Sequence, residues 1–151
     1  MNEYTFTTHG TGFKQETAST ESDMLVLLEG LGRNILLHLG NVERGKSLRI
    51  FMRDKDNQPV GGIAADLFGG WAYISLLWVE EGLRNQGFGS ELLCRLEAET
   101  IRQGCTHAHV DTYDFEARPF YERAGYEVFG TLYDYPPGHC KFFLQKALKE
   151  A

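Results

Sequence analysis

Nothing in this 151-residue chain approaches the roughly 18 consecutive apolar residues of a membrane-spanning helix. The opening stretch, MNEYTFTTHGTGFKQETASTESD, also lacks the apolar segment of a secretory signal, so none is expected. Cysteine is scarce. Cys94, Cys105 and Cys140 are odd in number and form no C-x-x-C, which predicts reduced thiols in a cytoplasmic protein. Positive charge is short as well: 15 Lys and Arg face 21 Asp and Glu, for a net charge of -6. That balance argues against general nucleic-acid binding, which needs a basic footprint. It is compatible with a cationic small substrate, and equally with a charge that only keeps the protein soluble. Repeats and low-complexity tracts are absent too. What remains is an ordinary globular mixture whose length predicts a single domain over residues 1–151.

Along the chain, YTFT (residues 4–7) reads as a short first strand and residues 11–22 as loop. A helix then follows, capped by Ser22 or Asp23, with Leu25, Leu28, Leu31, Ile35 and Leu39 at helical spacing. Gly30 and Gly32 are expected to weaken or split it. SLRIFMRD, VGGIAADLF and WAYISLLWV read as strands, the last two joined as a hairpin at Gly69-Gly70. A helix over residues 88–103 should bury Leu92, Leu93, Leu96 and Ile101, pair Glu91 with Arg95, and stop at Gly104. HAHVDTY is a strand, EARPFYERAGY a short helix, and YEVFGTLYDY and CKFFLQKAL are strands around PPGH. Strand, helix, strand from Trp71 to Tyr113 predicts a parallel crossover between antiparallel hairpins, hence a mixed α/β sheet.

The stretch LLWVEEGLRNQGFGSELL places RNQGFG where a strand hands over to a helix. A helix start leaves amide N–H groups unpartnered and carries about half a positive charge. Glycines let a ligand approach the backbone, and Arg84 adds a cation. The six residues therefore fit a pyrophosphate cradle, and equally a tight loop whose glycines serve geometry alone. Two other phosphate motifs are excluded. No lysine follows as in a P-loop, and Leu92 stands where a dinucleotide fingerprint needs its third glycine.

VEEGLRNQGFGSELL resembles the signature of the GNAT superfamily of acyl-CoA-dependent N-acetyltransferases, [RQ]-x-x-G-x-[GA] after a strand, with Val79 five residues before Arg84. ARPFYERAGYEVFG is similar to the segment that packs a short helix beside the cofactor in that family, and the ending resembles a bacterial single-domain subgroup. The resemblance spans nearly the whole chain. It implies a mixed sheet of six to seven strands flanked by about four helices, with acetyl-CoA as co-substrate and no metal. It further implies that the backbone of Leu77, Trp78 and Val79 pairs with the pantetheine arm. The segment Arg84, Asn85, Gln86, Gly87, Phe88, Gly89 and Ser90 would then hold the pyrophosphate. Tyr121 matches the tyrosine that protonates the departing thiolate, though on its own it reads as core. Asp114 stands where many members carry an asparagine facing the cofactor, a departure that suits an anionic cofactor only if the carboxylate faces elsewhere.

The chemistry adds a demand. An alkylammonium must lose a proton before it attacks a thioester, at a cost of about 4.6 kcal/mol at pH 7. Some relatives supply a glutamate at the strand position held here by Tyr73, and simple alternation puts Ser75 on the same face. Neither is a good base, so a water relay near Tyr73, Ser75 and Asp111 is the expected route. Glu80 and Glu81 read as a solvated turn. His109, Asp111 and His139 resemble a two-histidine, one-carboxylate iron site, but the two good helix signals do not suit the all-β setting of such sites. Trp71, Tyr73 and Trp78 read as packing or as an aromatic wall for an amine. Two functions follow. One is an acetyltransferase acting on a small-molecule or protein amine, with a homodimer as the prior. The other is a non-catalytic acyl-CoA-binding module.

Overall fold

The computed structural model describes residues 18–40 and 45–149. These fall in two compact units that divide between residues 42 and 43. The strand expected over residues 4–7 lies outside the described residues.

The first unit contributes α1, Ala18–Leu39. It starts earlier than Ser22 and runs unbroken through Gly30 and Gly32. Each glycine costs about 1 kcal/mol relative to alanine, and a 22-residue helix rich in leucine carries that cost. No helix among the described residues is long and apolar enough to cross a membrane.

The second unit is one six-stranded sheet in the order β1-β2-β3-β4-β6-β5. Its strands are β1 (Lys46–Arg53), β2 (Pro59–Phe68), β3 (Trp71–Val79), β4 (His107–Tyr113), β5 (Glu127–Tyr133) and β6 (Cys140–Ala147). A 3-10 turn, Glu81–Leu83, leads to α2 (Phe88–Arg102), and α3 (Arg118–Arg123) precedes β5. Every neighbouring pair is antiparallel except β3 and β4, the expected parallel pair. Gly69 and Gly70 form the β2–β3 hairpin loop at φ 58 and 81, a left-handed region that glycine enters without strain.

Helix α2 lies on the core face of the sheet. It buries Leu92, Leu93, Leu96 and Thr100 against Ile63 and Leu67 of β2, Ile74 of β3 and Val110 of β4. Ile101, expected in that stripe, is half-buried at its edge, because the i, i+4 series from Leu92 reaches Thr100 instead. Tyr121 of α3 and the following Tyr126 complete the same core.

Alternation along β3 is broken once. Ala65 pairs with Ile74 and Ala64 with Leu76, so Ser75 is an extra, unpaired residue. Before this bulge Ala72 and Ile74 are buried; after it Leu77 and Val79 pack on the core. The face that carries Tyr73 therefore continues through Leu76 and Trp78, both exposed, rather than through Ser75 and Leu77. The bulge corrects the simple alternation expected for Tyr73 and Ser75.

Candidate active site

Strands β3 and β4 are paired only from Trp71 and His107 to Ile74 and Val110. Beyond that rung each follows its other neighbour, β3 staying with β2 to Val79 and β4 staying with β6 to Tyr113. A gap opens between residues 75–79 and 111–113, starting at the Ser75 bulge. The amide of Glu80 donates to the Val60 carbonyl at 2.9 Å. By alternation Trp78 also turns its backbone to β2, whereas Leu77 and Val79 turn theirs to the gap. The Val79 carbonyl is taken by Arg84 Nε at 2.9 Å. Both backbone groups of Leu77 and the N–H of Val79 are thus open to an extended ligand lying in the gap like an added strand. Trp78 instead presents its indole, 51% exposed.

The strand leads straight into the loop at residues 84–87. Gln86 Nε2 donates to the Gly82 carbonyl at 3.1 Å, and Asn85 and Gly87 take left-handed φ values of 60 and 87. Gly87 is the N-cap of α2 and offers no side-chain cap. The first intrahelical bond is Glu91 N–H to the Gly87 carbonyl, 3.0 Å. The amides of Phe88, Gly89 and Ser90 precede it and find no partner within the helix. Open amides at the positive end of a 15-residue helix form an anion site whose charge suits a pyrophosphate.

The two glycines have separate reasons. Gly87 is required by its backbone conformation, with nothing within 4 Å of an added Cβ. Gly89 faces α3, where an added Cβ would meet the Phe120 ring at 3.5 Å, an ordinary contact. Gly87→Ala should therefore cost about 1 kcal/mol from left-handed strain, lowering Tm by about 2–4 °C. Gly89→Ala should leave Tm unchanged or slightly raised, since alanine is the better helix former. Paired thermal melts check both.

The Gly89–Phe120 approach is what seats α3 beside the start of α2. Pro119 sits in the first turn of α3, and Arg118 pairs with Glu122 at 2.9 Å while lying 4.2 Å over the Phe142 ring. This holds Tyr121, 4% exposed, edge-on to Phe120 and Tyr126. Its hydroxyl makes no hydrogen bond among the described residues. Burial, reinforced by the Glu116 and Asp111 carboxylates, pushes the phenol far above its ordinary value. Tyr121 therefore keeps its proton throughout the physiological range.

On the opposite face, Tyr73 OH donates to Asp111 Oδ1 at 2.7 Å, and Lys141 Nζ lies 2.7 Å from Asp111 Oδ2. His109 stacks on Tyr73 at 4.9 Å with Trp71 edge-on at 6.0 Å. The bond to Asp111, with burial, raises the Tyr73 phenol. Burial would raise Asp111, but the hydrogen bonds from Lys141 and Tyr73 outweigh it and hold the carboxyl below its ordinary range. Burial lowers His109 more than Asp111 raises it. Of the expected relay, Tyr73 and Asp111 are joined. Ser75 is not, since its hydroxyl reaches the Ala64 carbonyl at 3.4 Å.

Asp111 gives a pH test. Its folded pKa lies below the unfolded one, so its stabilisation is present above about pH 3.8 and disappears as pH falls through the folded value. The Tm difference between wild type and Asp111→Asn should shrink as pH falls below about 4. A difference that grows over that range would contradict the assigned pairing.

Asp114 follows the last residue of β4, and its amide donates to the Cys140 carbonyl at 3.0 Å. Its carboxylate pairs with His139 Nδ1 at 3.0 Å, and Phe115 lies edge-on to that imidazole at 4.9 Å. The β5–β6 loop thus engages this aspartate through His139. His139 is thus the partner of Asp114, while Asp111 serves Tyr73 and Lys141, so two of the three residues of the iron-like pattern already have other partners. A cleft of ≈ 760 Å³ exists elsewhere, lined by Trp71, His107 and Glu97 among others. It lies where β3 and β4 begin, away from the gap, and its Glu97 is already bonded to Lys146 and Tyr126.

Sequence reasoning missed Lys141 and the stack of His109 on Tyr73. Both depend on strand register: Lys141 is opposite Tyr113, and His109 is opposite Tyr73. No local motif announces either.

Known proteins agree with this architecture. The profile of the Acetyltransferase (GNAT) family matches residues 21–126. A blasticidin-S acetyltransferase of Streptomyces morookaense is 40% identical over 89 residues, 58% of this chain and 65% of that protein, so the match spans just under two thirds of its length. An acetyltransferase of Agrobacterium fabrum is 36% identical over 101 residues, 67% of this chain and 74% of that protein. An acetyltransferase structure from Bacillus cereus superposes with a TM-score of 0.77 at 25% identity, covering 91% of this chain and 98% of that one. The free β3 edge, the uncapped start of α2 and these matches lead to one assignment: the chain belongs to the GNAT family of acetyltransferases.

Proposed function

We propose that this protein transfers an acetyl group from acetyl-CoA directly to a primary amine, with Tyr121 as the general acid. The observation that carries the reading is the continuity of the open β3 edge at Leu77 and Val79 with the free amides of Phe88, Gly89 and Ser90. Acetyl-CoA would supply the activated thioester. Leu77 and Val79 would align its arm, and the residues from Arg84 to Ser90 would take its pyrophosphate. Arg84 keeps both terminal guanidinium nitrogens free of partners among the described residues, in addition to its bond to Val79. Tyr121, a neutral phenol held by packing alone, would donate to the departing thiolate. The amine's proton would leave to solvent through a water relay past Tyr73 and Asp111, since neither group is a base near neutral pH.

The acceptor we favour is the amine of a small molecule. The Streptomyces morookaense relative is named for one, and the present chain's net charge of -6 suits a cationic acceptor. A single functional domain, working in the cytoplasm as a homodimer, completes the proposal.

Thiol release from acetyl-CoA with a panel of amines is the test. Turnover that depends on Tyr121 supports the enzyme. Acetyl-CoA binding without turnover on any amine assigns the non-catalytic module instead. Calorimetry with no binding of coenzyme A would remove both.

A further inference from the structure

An acceptor amine reaches its enzyme from water as an ammonium ion. Ammonium groups are recognised by carboxylate oxygens and by aromatic faces. The side of the gap formed by β4 and β6 carries such a set, and the chain's own Lys141 fills it. Lys141 Nζ lies 2.7 Å from Asp111 Oδ2 and 5.4, 5.7 and 5.7 Å from the rings of Tyr113, Tyr135 and Phe143. The other oxygen of Asp111 is taken by Tyr73. Both charged side chains are only 19% exposed.

We propose that Lys141 is a specificity-determining residue that occupies the ammonium subsite beside the gap, so that monoamines are accepted and diamines are disfavoured. This rests on the amine-acetyltransferase reading above. A diamine needs a place for the ammonium that is not acetylated, and the cage of Asp111, Tyr113, Tyr135 and Phe143 is the recognition set available on this face. Neighbouring carboxylates are committed elsewhere: Asp66 accepts from Ser47, Asp114 pairs with His139, and Asp134 accepts from the Gly138 amide. A second cation entering the cage would meet Lys141 and find both Asp111 oxygens used. An acceptor whose second polar group is neutral or anionic meets no such conflict. The hydrogen bond to Asp111 also raises the Lys141 ammonium above its ordinary value, so the resident cation stays charged at neutral pH.

Removing the charge should vacate the subsite. Lys141→Met keeps the stem and leaves Asp111 in need of a cation. Calorimetry with tetramethylammonium, which cannot be acetylated, should show binding at least about tenfold tighter than wild type. In thiol-release assays the kcat/KM ratio of putrescine to propylamine should rise by about tenfold or more. The double variant Lys141→Met/Asp111→Asn should lose both gains. Lys141→Gln repeats the test should the methionine variant fold poorly. Unchanged tetramethylammonium affinity, or an unchanged amine ratio, in a folded variant overturns the proposal. If wild type and variants release no thiol with any amine, the acetyl-transfer reading fails, and the specificity proposal that rests on it falls with it. The tetramethylammonium titration then reports the cage alone.

Discussion

Tyr121→Phe should lower turnover about a hundredfold while acetyl-CoA affinity and the fold stay close to wild type. The side chain is 4% exposed and sits among Phe120 and Tyr126, so phenylalanine preserves every ring contact. Its hydroxyl has no hydrogen-bond partner among the described residues, and removing it leaves no protein group unpaired. The expected loss is therefore chemical. Because burial holds the phenol far above its ordinary value, Tyr121 contributes no ionisation to the pH profile below pH 10. In wild type the rate should instead climb with pH as the acceptor loses its proton, toward an amine pKa of about 10.4. Measured kcat, calorimetric affinity for acetyl-CoA and Tm separate these effects. Turnover within about threefold of wild type would remove Tyr121 from the acid role, since general acid catalysis is worth far more.

Ser90→Glu should act with opposite signs on stability and on binding. Ser90 is exposed, the third residue of α2, and its amide is one of those open at the helix start. A glutamate there lies near the positive end of the helix, where it should stabilise the fold by about 0.3–1 kcal/mol. The same carboxylate would compete with a pyrophosphate held, as proposed, by the amides of Phe88, Gly89 and Ser90. Loss of one charge-assisted hydrogen bond, about 1.5–3 kcal/mol, weakens acetyl-CoA binding by about tenfold to a hundredfold or slightly more. Ser90→Gln, which adds the bulk without the charge, should lose much less. A higher Tm together with weaker binding cannot come from general damage to the structure. A glutamate variant that binds acetyl-CoA as wild type does would show that the pyrophosphate lies elsewhere.

Most of the second unit was legible in the sequence because its signals are local. The Gly69-Gly70 turn set the β2–β3 hairpin, and the leucine period set α2 between a strand and Gly104. RNQGFG marked the loop before α2, and Pro119 and Gly125 bracketed α3. The start of α1 was misplaced by several residues, because residues 18–22, polar except for Ala18, carry helix as readily as loop once a long leucine-rich helix follows. Ser75 was misassigned for a different reason. A bulge depends on how β3 registers against β2, and alternation within β3 alone cannot express it.

The sequence by itself determined the order of elements, the loop before α2 and the residue types at the gap. Each follows from period, turn chemistry and helix-terminus electrostatics, which act over a few residues. Only the tertiary structure decided that β3 and β4 part after Ile74 and Val110, that Arg84 consumes the Val79 carbonyl, and that Gly89 faces Phe120. It alone joined Tyr73, Asp111 and Lys141, which are 38 and 30 residues apart along the chain. Those contacts arise from strand register and from packing between elements distant in sequence. A one-residue shift in pairing would turn every such side chain to the opposite face and dissolve the cluster.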